Sequence, residues 1–169
     1  MKQLILISGP MGVGKTTAAR ELLNNMPRSV WLDGDWCWEQ GNHWNFAPEN
    51  KEMVMDNICC LLGNFLANPN FDTIIFSWVM HLPEIHFKIL SRLEDYDFDV
   101  FDISLLCSED ELRSRLAGRG ENEVQRAISY LPLYDKLENT KLNTEGLSPT
   151  RVVDGILRII NADAPRCIF

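Results

Sequence analysis

The sequence predicts a three-layer α/β domain: a mostly parallel sheet of about five strands flanked by helices, with a small arginine-bearing lid. Three observations carry that prediction. Short apolar runs alternate along the chain with segments of helical period, the pattern of buried parallel strands joined by helices. A glycine-rich stretch, Gly9-Pro10-Met11-Gly12-Val13-Gly14-Lys15-Thr16, separates the first apolar run from the first helical pattern. Two carboxylates, Asp33 and Asp35, flank Gly34 at the end of the second run.

The chain has 169 residues, 46% of them apolar and 24% charged, which suits a single domain over 1–169 that buries its own core. A formal net charge of −8 argues against a surface built to neutralise nucleic-acid phosphates or to lie on anionic lipid, so neither nucleic acid nor membrane is an expected partner. Any basic site must be local. No run approaches the ~20 apolar residues of a membrane span. The opening apolar run is too short for a signal peptide and has no small-residue cleavage site. Cys37, Cys59, Cys60, Cys107 and Cys167 are odd in number and lack C-x-x-C spacing. That usage indicates neither a disulfide framework nor a zinc site, and reduced thiols fit a cytoplasmic protein.

Lys2–Ser8 reads as a buried parallel strand running into the glycine loop, which fits G-x-x-x-x-G-K-[ST]. Glycines at Gly9, Gly12 and Gly14 let successive backbone N–H groups, Val13's among them, approach phosphate oxygens. The following helix adds its positive end. Lys15 then reaches the β/γ-phosphates and the Thr16 hydroxyl ligates Mg²⁺, with Thr17 beside it. The expected ligands are therefore ATP, or a related nucleoside triphosphate, and Mg²⁺.

Ala18, Ala19, Leu22, Leu23 and Met26 recur at helical spacing until Pro27. Ser29–Leu32 is a second strand ending at Asp33-Gly34-Asp35, where Gly34 permits a sharp turn. In an open parallel sheet ligands bind at the C-terminal strand ends, so Asp33 and Asp35 are expected to face the γ-phosphate region. Trp31, Trp36, Trp38, Trp44 and Phe46 follow closely, and Trp36, Trp38 and Trp44 are candidate substrate-binding residues as well as candidates for core packing. His43 reads as a loop surface residue.

Pro48 opens a long helix to about Asn68, with Val54, Ile58, Leu61, Leu62 and Phe65 as its buried stripe. Thr73–Phe76 reads as a third strand whose end, Ser77-Trp78-Val79-Met80-His81, lacks the acid of a Walker B strand. Pro83–Leu93 reads as helix, with His86 at its surface or in packing. Asp99–Leu106 reads as a fourth strand, and Ser108-Glu109-Asp110-Glu111 as a capping box. The next helix carries Arg113, Arg115 and Arg119, followed by Arg126 on a further helical segment. A flap over roughly 113–130 could close over the triphosphate, unless Glu121 and Glu123 pair with its arginines. Lys141–Thr144 is the fifth strand, and Ser148-Pro149 starts a last helix with Val152, Val153, Ile156, Leu157 and Ile160 inward.

This order of pieces resembles the P-loop small-molecule and nucleotide kinase superfamily over nearly the whole chain. Leu32-Asp33-Gly34-Asp35 is similar to the aspartate pair of gluconate, adenylylsulfate and shikimate kinases. Arg115-Leu116-Ala117-Gly118-Arg119 is similar to the start of the adenylate kinase lid. The resemblance implies that Asp33 helps hold Mg²⁺, that Asp35 is the base, that Arg115 stacks near adenine and that Arg119 reaches phosphate. The catalytic set it implies is Lys15, Asp35 and Arg119. Between Gly41 and Asn68 the only cation is Lys51, so no arginine is available to grip an acceptor monophosphate. An uncharged or weakly charged acceptor is expected, a pattern compatible with chloramphenicol phosphotransferase.

The expected activity is transfer of the γ-phosphoryl of Mg-ATP to a hydroxyl of a small molecule by a monomer or dimer. A nucleoside monophosphate kinase is one alternative. An NTP-binding switch or NTPase acting on a partner is another.

Overall fold

The computed structural model describes residues 1–41 and 45–162. Among these residues five strands form one parallel sheet in the order β2-β3-β1-β4-β5: β1 (Lys2–Ser8), β2 (Ser29–Asp33), β3 (Thr73–Ser77), β4 (Phe98–Leu106) and β5 (Thr140–Asn143). The described residues also form six helices, α1 (Lys15–Asn25), α2 (Pro48–Ala67), α3 (Pro83–Ser91), α4 (Glu109–Arg115) and α5 (Glu121–Tyr134) between the strands and α6 (Pro149–Ala162) after the last. Gly34–Cys37 form a single 3₁₀ turn.

The sheet is buried on both faces, which is why β1 and β3 read as unbroken apolar runs. Ile5, Ile7, Ile75, Ile103 and Leu105 pack on one side with α1 and α6. Leu4, Leu6, Ile74, Phe76 and Val100 pack on the other with α2 and α3. β1 lies between β3 and β4; from it the chain crosses to the edge strand β2, returns inward to β3, then passes to β4 and β5 on the other side. The direction of winding reverses at β1, so the C-terminal ends of β1, β3 and β4 open a crevice.

Local details differ from the sequence pattern in instructive ways. The buried side of α2 runs through Val54, Met55, Ile58, Leu62, Gly63 and Leu66, while Leu61 is 37% exposed because it falls one position off that stripe. Ser108 caps α4, accepting from the Glu111 N–H at 3.3 Å, but the reciprocal half of the box comes from elsewhere. Glu145 accepts the Ser108 N–H at 3.3 Å, because the Glu111 carboxylate is taken by Arg115. No helix among the described residues is long and apolar enough to cross a membrane. Cys37, Cys59, Cys60 and Cys107 are free thiols.

Candidate active site

The phosphate loop bridges the end of β1 and the start of α1. Gly9 has φ 144°, and a Cβ there would lie 2.5 Å from the Leu105 carbonyl oxygen, so conformation and space both demand glycine. The Val13 N–H closes the loop on the Pro10 carbonyl at 3.3 Å. α1 is capped by the Gly14 backbone with no side-chain cap, leaving its first-turn N–H groups, where Thr16 and Thr17 are exposed, for an anion. Lys15 Nζ donates to the Pro10 carbonyl at 3.0 Å. Burial brings the Lys15 ammonium down to about 8, against the opposing pull of Asp35 and Asp33. A phosphate beside it would favour the charged form further.

Asp33, at the end of β2, is 8% exposed and fully engaged. Its Oδ2 accepts from Thr16 Oγ1 at 3.2 Å and from Ser77 Oγ at 3.3 Å, and its Oδ1 accepts the Asp35 N–H at 3.1 Å. Ser77 lies opposite Asp33 in the sheet and itself accepts the Trp31 indole N–H at 2.9 Å. β3 thus ends in a hydroxyl where a Walker B strand would end in an acid. One hydroxyl and one carboxylate beside a cradle of backbone N–H groups form a hard oxygen donor set. Mg²⁺ typically takes one or two such protein oxygens together with substrate phosphates, so these residues fit it.

Asp35 is exposed yet partly hemmed in by protein. That partial burial, and then the Asp33 charge, hold its carboxyl above the usual range, while the Trp78 hydrogen bond and the Lys15 charge oppose them. The Trp78 indole N–H donates to Asp35 Oδ1 at 3.0 Å. Trp78 belongs to the turn after β3, whose Trp78 N–H donates to the Ile7 carbonyl at 3.1 Å. A Cβ at position 34 would lie 2.3 Å from Trp78 Cγ, and Gly34 has no left-handed φ. Glycine is therefore needed there for room rather than for a sharp turn.

The arginines divide. α4 ends at Arg115, and Gly118, with φ 95°, turns the chain, so Arg119 belongs to the turn and not to the helix. Arg115 donates through Nη1 to the Val13 carbonyl at 2.9 Å, through Nη2 to the Thr144 carbonyl at 2.9 Å and through Nε to Glu111 at 2.9 Å. Leu116 packs so closely over Gly12 that a Cβ there would lie 2.7 Å from its side chain. Arg119 is exposed, 3.5 Å from Met11 Sδ and 3.6 Å from Glu123, and Arg113 pairs with Glu109 and Glu121. Glu121 and Glu123 thus occupy Arg113 and Arg119, and Arg115 is built into the phosphate loop.

The tryptophans divide as well. Trp36, 57% exposed, leans on Trp31 at 4.7 Å between ring centroids, and Arg20 of α1 lies 5.7 Å over the Trp31 ring. Trp38 meets Phe46 edge-on at 5.4 Å and packs toward the α2 side of the sheet. Trp44 and His43 lie outside the described residues. Sequence reading gave no role to Trp78 or His81, and left His86 at the surface or in packing. His86 is not at the surface: it is buried and bonded at both ring nitrogens. The signal that could have found Trp78 and His81 was position alone, since both follow the C-terminal end of a central parallel strand.

A family model described as an AAA domain matches residues 5–141. The chain belongs to that AAA domain family. No curated protein matches the sequence of this AAA domain. Solved structures of similar fold include the tunicamycin resistance protein of Deinococcus radiodurans, at 21% identity and TM-score 0.73 over 95% of this chain and 96% of that one. A shikimate kinase from Acinetobacter baumannii in complex with shikimate is similar at 19% identity and TM-score 0.65, over 96% of this chain and 94% of that one. The APS kinase of Mycobacterium tuberculosis in complex with AMPPNP and APS is similar at 17% identity and TM-score 0.68, over 95% of this chain and 98% of that one. The AAA domain thus has a P-loop kinase-like fold whose structural neighbours include small-molecule kinases.

Proposed function

We propose that the chain is an ATP-dependent phosphotransferase that moves the γ-phosphoryl of Mg-ATP to a hydroxyl of a small molecule. What supports this reading is that the Lys15 ammonium and the Asp35 carboxylate lie near enough for each to act on the other's charge, on either side of Asp33, which accepts from both Thr16 Oγ1 and the Asp35 N–H. One grips the donor and the other addresses the acceptor. Structures of a shikimate kinase holding shikimate and an APS kinase holding AMPPNP and APS support such a pairing on this fold. Fold likeness does not by itself assign the acceptor.

In this reading Gly9, Gly12, Val13, Gly14, Lys15, Thr16 and Thr17 bind the phosphates, and Arg115 lies near the base. Thr16 and Asp33 hold Mg²⁺, which when bound neutralises charge on the phosphate oxygens. Asp35, lifted above the ordinary carboxylate range, accepts the acceptor's hydroxyl proton. The acceptor oxygen bonds to the γ-phosphorus, the bond from that phosphorus to the β,γ-bridging oxygen breaks, and ADP leaves. Arg119 leaves its weak surface pair with Glu123 to meet the spreading negative charge. Trp36 and Trp38 border the acceptor side. With Lys51 the only cation between Gly41 and Asn68, the acceptor carries little negative charge.

The test is a thermal-shift screen of sugars, nucleosides, monophosphates and hydroxylated antibiotics with Mg²⁺ and a non-hydrolysable ATP analogue, followed by ³¹P NMR with ATP. A true acceptor raises the melting temperature and appears as a phosphate ester. Hydrolysis that needs a protein partner and forms no ester would replace this reading with a switch.

A further inference from the structure

His86 is a buried titratable group that the chemistry above does not use. It sits in the first half of α3 with both ring nitrogens on acceptors: Nδ1 lies 2.7 Å from Asp102 Oδ2 of β4, and Nε2 lies 2.8 Å from the Met80 carbonyl. Only a doubly protonated ring donates to both. Asp102 is held in turn by Asn139, whose Nδ2 donates to its Oδ1 at 2.8 Å and also lies 2.8 Å from Ser104 Oγ. Ser104 Oγ is 2.7 Å from Ser8 Oγ, at the foot of the phosphate loop. A polar chain thus runs beneath the sheet's C-terminal edge from Ser8 to Met80.

Met80 ends the turn that carries the acceptor side. Its side chain is fully buried, and its N–H donates to the Trp78 carbonyl at 3.2 Å. Within the same turn Trp78 holds Asp35, and His81 stacks on Tyr130 of α5 at 4.1 Å and 5°. We propose that His86, as an imidazolium clamped between Asp102 and the Met80 carbonyl, is the positioning residue that fixes the 78–81 turn and, through Trp78, aims Asp35. This rests on the phosphotransferase reading only in naming Asp35 as the acceptor-facing group.

The charged groups facing His86 are Asp102 from β4 and Lys141 from β5. Burial disfavours its cation, and the Asp102 and Met80 bonds outweigh that, so its proton is held above the usual histidine range while Lys141 opposes. If the ring loses a proton, one nitrogen presents a lone pair to an oxygen and one bond of the clamp is lost.

The test uses the ligand-free full chain. ¹⁵N NMR of His86 at pH 6 to 7 should show both ring nitrogens protonated, and a neutral tautomer there would overturn the proposal. His86→Leu fills the space without donors. Exchange of the Trp78 indole N–H with water should then speed up by about tenfold or more, as expected when a charge-assisted bond is lost. Unchanged exchange in a folded variant would overturn the proposal too. Affinity for an ATP analogue should stay within about twofold in His86→Leu, because Lys15 and the first turn of α1 lie outside the clamp; merely structural collapse would lower both. A wild-type chain that shows the protonated ring but forms no phosphate ester with any acceptor would remove the kinase reading and leave the clamp standing.

Discussion

Thr16 Oγ1 donates to Asp33 Oδ2 across 3.2 Å, joining the first turn of α1 to the end of β2. Those atoms sit seventeen residues apart in sequence and are paired by the sheet, because β2 ends level with the phosphate loop. Asp33→Asn keeps the shape and one oxygen but removes the charge that would face Mg²⁺. The Mg²⁺ concentration needed for nucleotide stabilisation should rise by about 10- to 100-fold, the usual cost of losing a charged partner at a metal. Titrating Mg²⁺ against the nucleotide-induced rise in melting temperature checks this, and an unchanged midpoint would take Asp33 out of the metal site.

Gly34→Ala tests the seat of Trp78. A Cβ 2.3 Å from Trp78 Cγ cannot be absorbed by a flexible chain end, so either the indole or the 3₁₀ turn must move. The expected loss is about 1–3 kcal/mol of stability. The near-ultraviolet circular dichroism should change as the Trp78–Asp35 bond breaks. Phosphate ester formation should fall more than nucleotide binding does.

Much of this was written in the chain, and the remainder has identifiable physical causes. Buried parallel strands must be apolar on both sides, so β1 and β3 announce themselves. The phosphate loop does so because its backbone shape needs glycines at fixed spacing. The acid pair was visible because both members come from one turn. Trp78, however, meets Asp35 across 43 residues, and nothing local marks an indole as a donor to a particular carboxylate. The partners of His86 were hidden for a similar reason: on α3 alone it is a lone histidine, legible as a surface or packing residue, and the groups it bonds come from β4 and from the turn after β3. The arginine cluster was legible as charge, but not as its division into Arg115, fixed by the Val13 and Thr144 carbonyls, and Arg119, which lies exposed beside Met11 and Glu123.

His86 gives a pH dependence with a definite sign. Its folded proton affinity is raised above the unfolded value of 6.5, so the unfolded chain releases this proton first as pH rises. The stabilisation is therefore fully present below pH 6.5 and is lost as pH climbs through the higher folded value. Removing a buried charged hydrogen-bond donor typically costs about 1–3 kcal/mol. The melting temperature of His86→Leu should accordingly fall furthest below wild type at pH 5.5 to 6, with the gap narrowing on the alkaline side. A gap that widened with pH would mean that His86 folds as the neutral ring.

Arg115 and Arg119 should separate stability from turnover. Arg115 is half-buried and donates to two backbone carbonyls, Val13 in the phosphate loop and Thr144 after β5, as well as to Glu111. Arg115→Ala leaves those carbonyls without their donor and should cost about 1–3 kcal/mol, and nucleotide affinity should fall with it because the loop loses a brace. Arg115→Lys should recover little, since an ammonium cannot span the two carbonyls and the carboxylate as a planar guanidinium does. Arg119 is exposed, and its pair with Glu123 at 3.6 Å is of the kind worth about 0–1 kcal/mol. Arg119→Ala should melt within about a degree or two of wild type. If Arg119 meets charge that develops only during transfer, its loss should lower the maximal rate by about 10²-fold or more with little change in nucleotide affinity. Melting curves, nucleotide titration and ester formation on the two alanine variants give a crossed pattern if the division holds. Equal loss of stability in both would place Arg119 in the fold rather than in the chemistry.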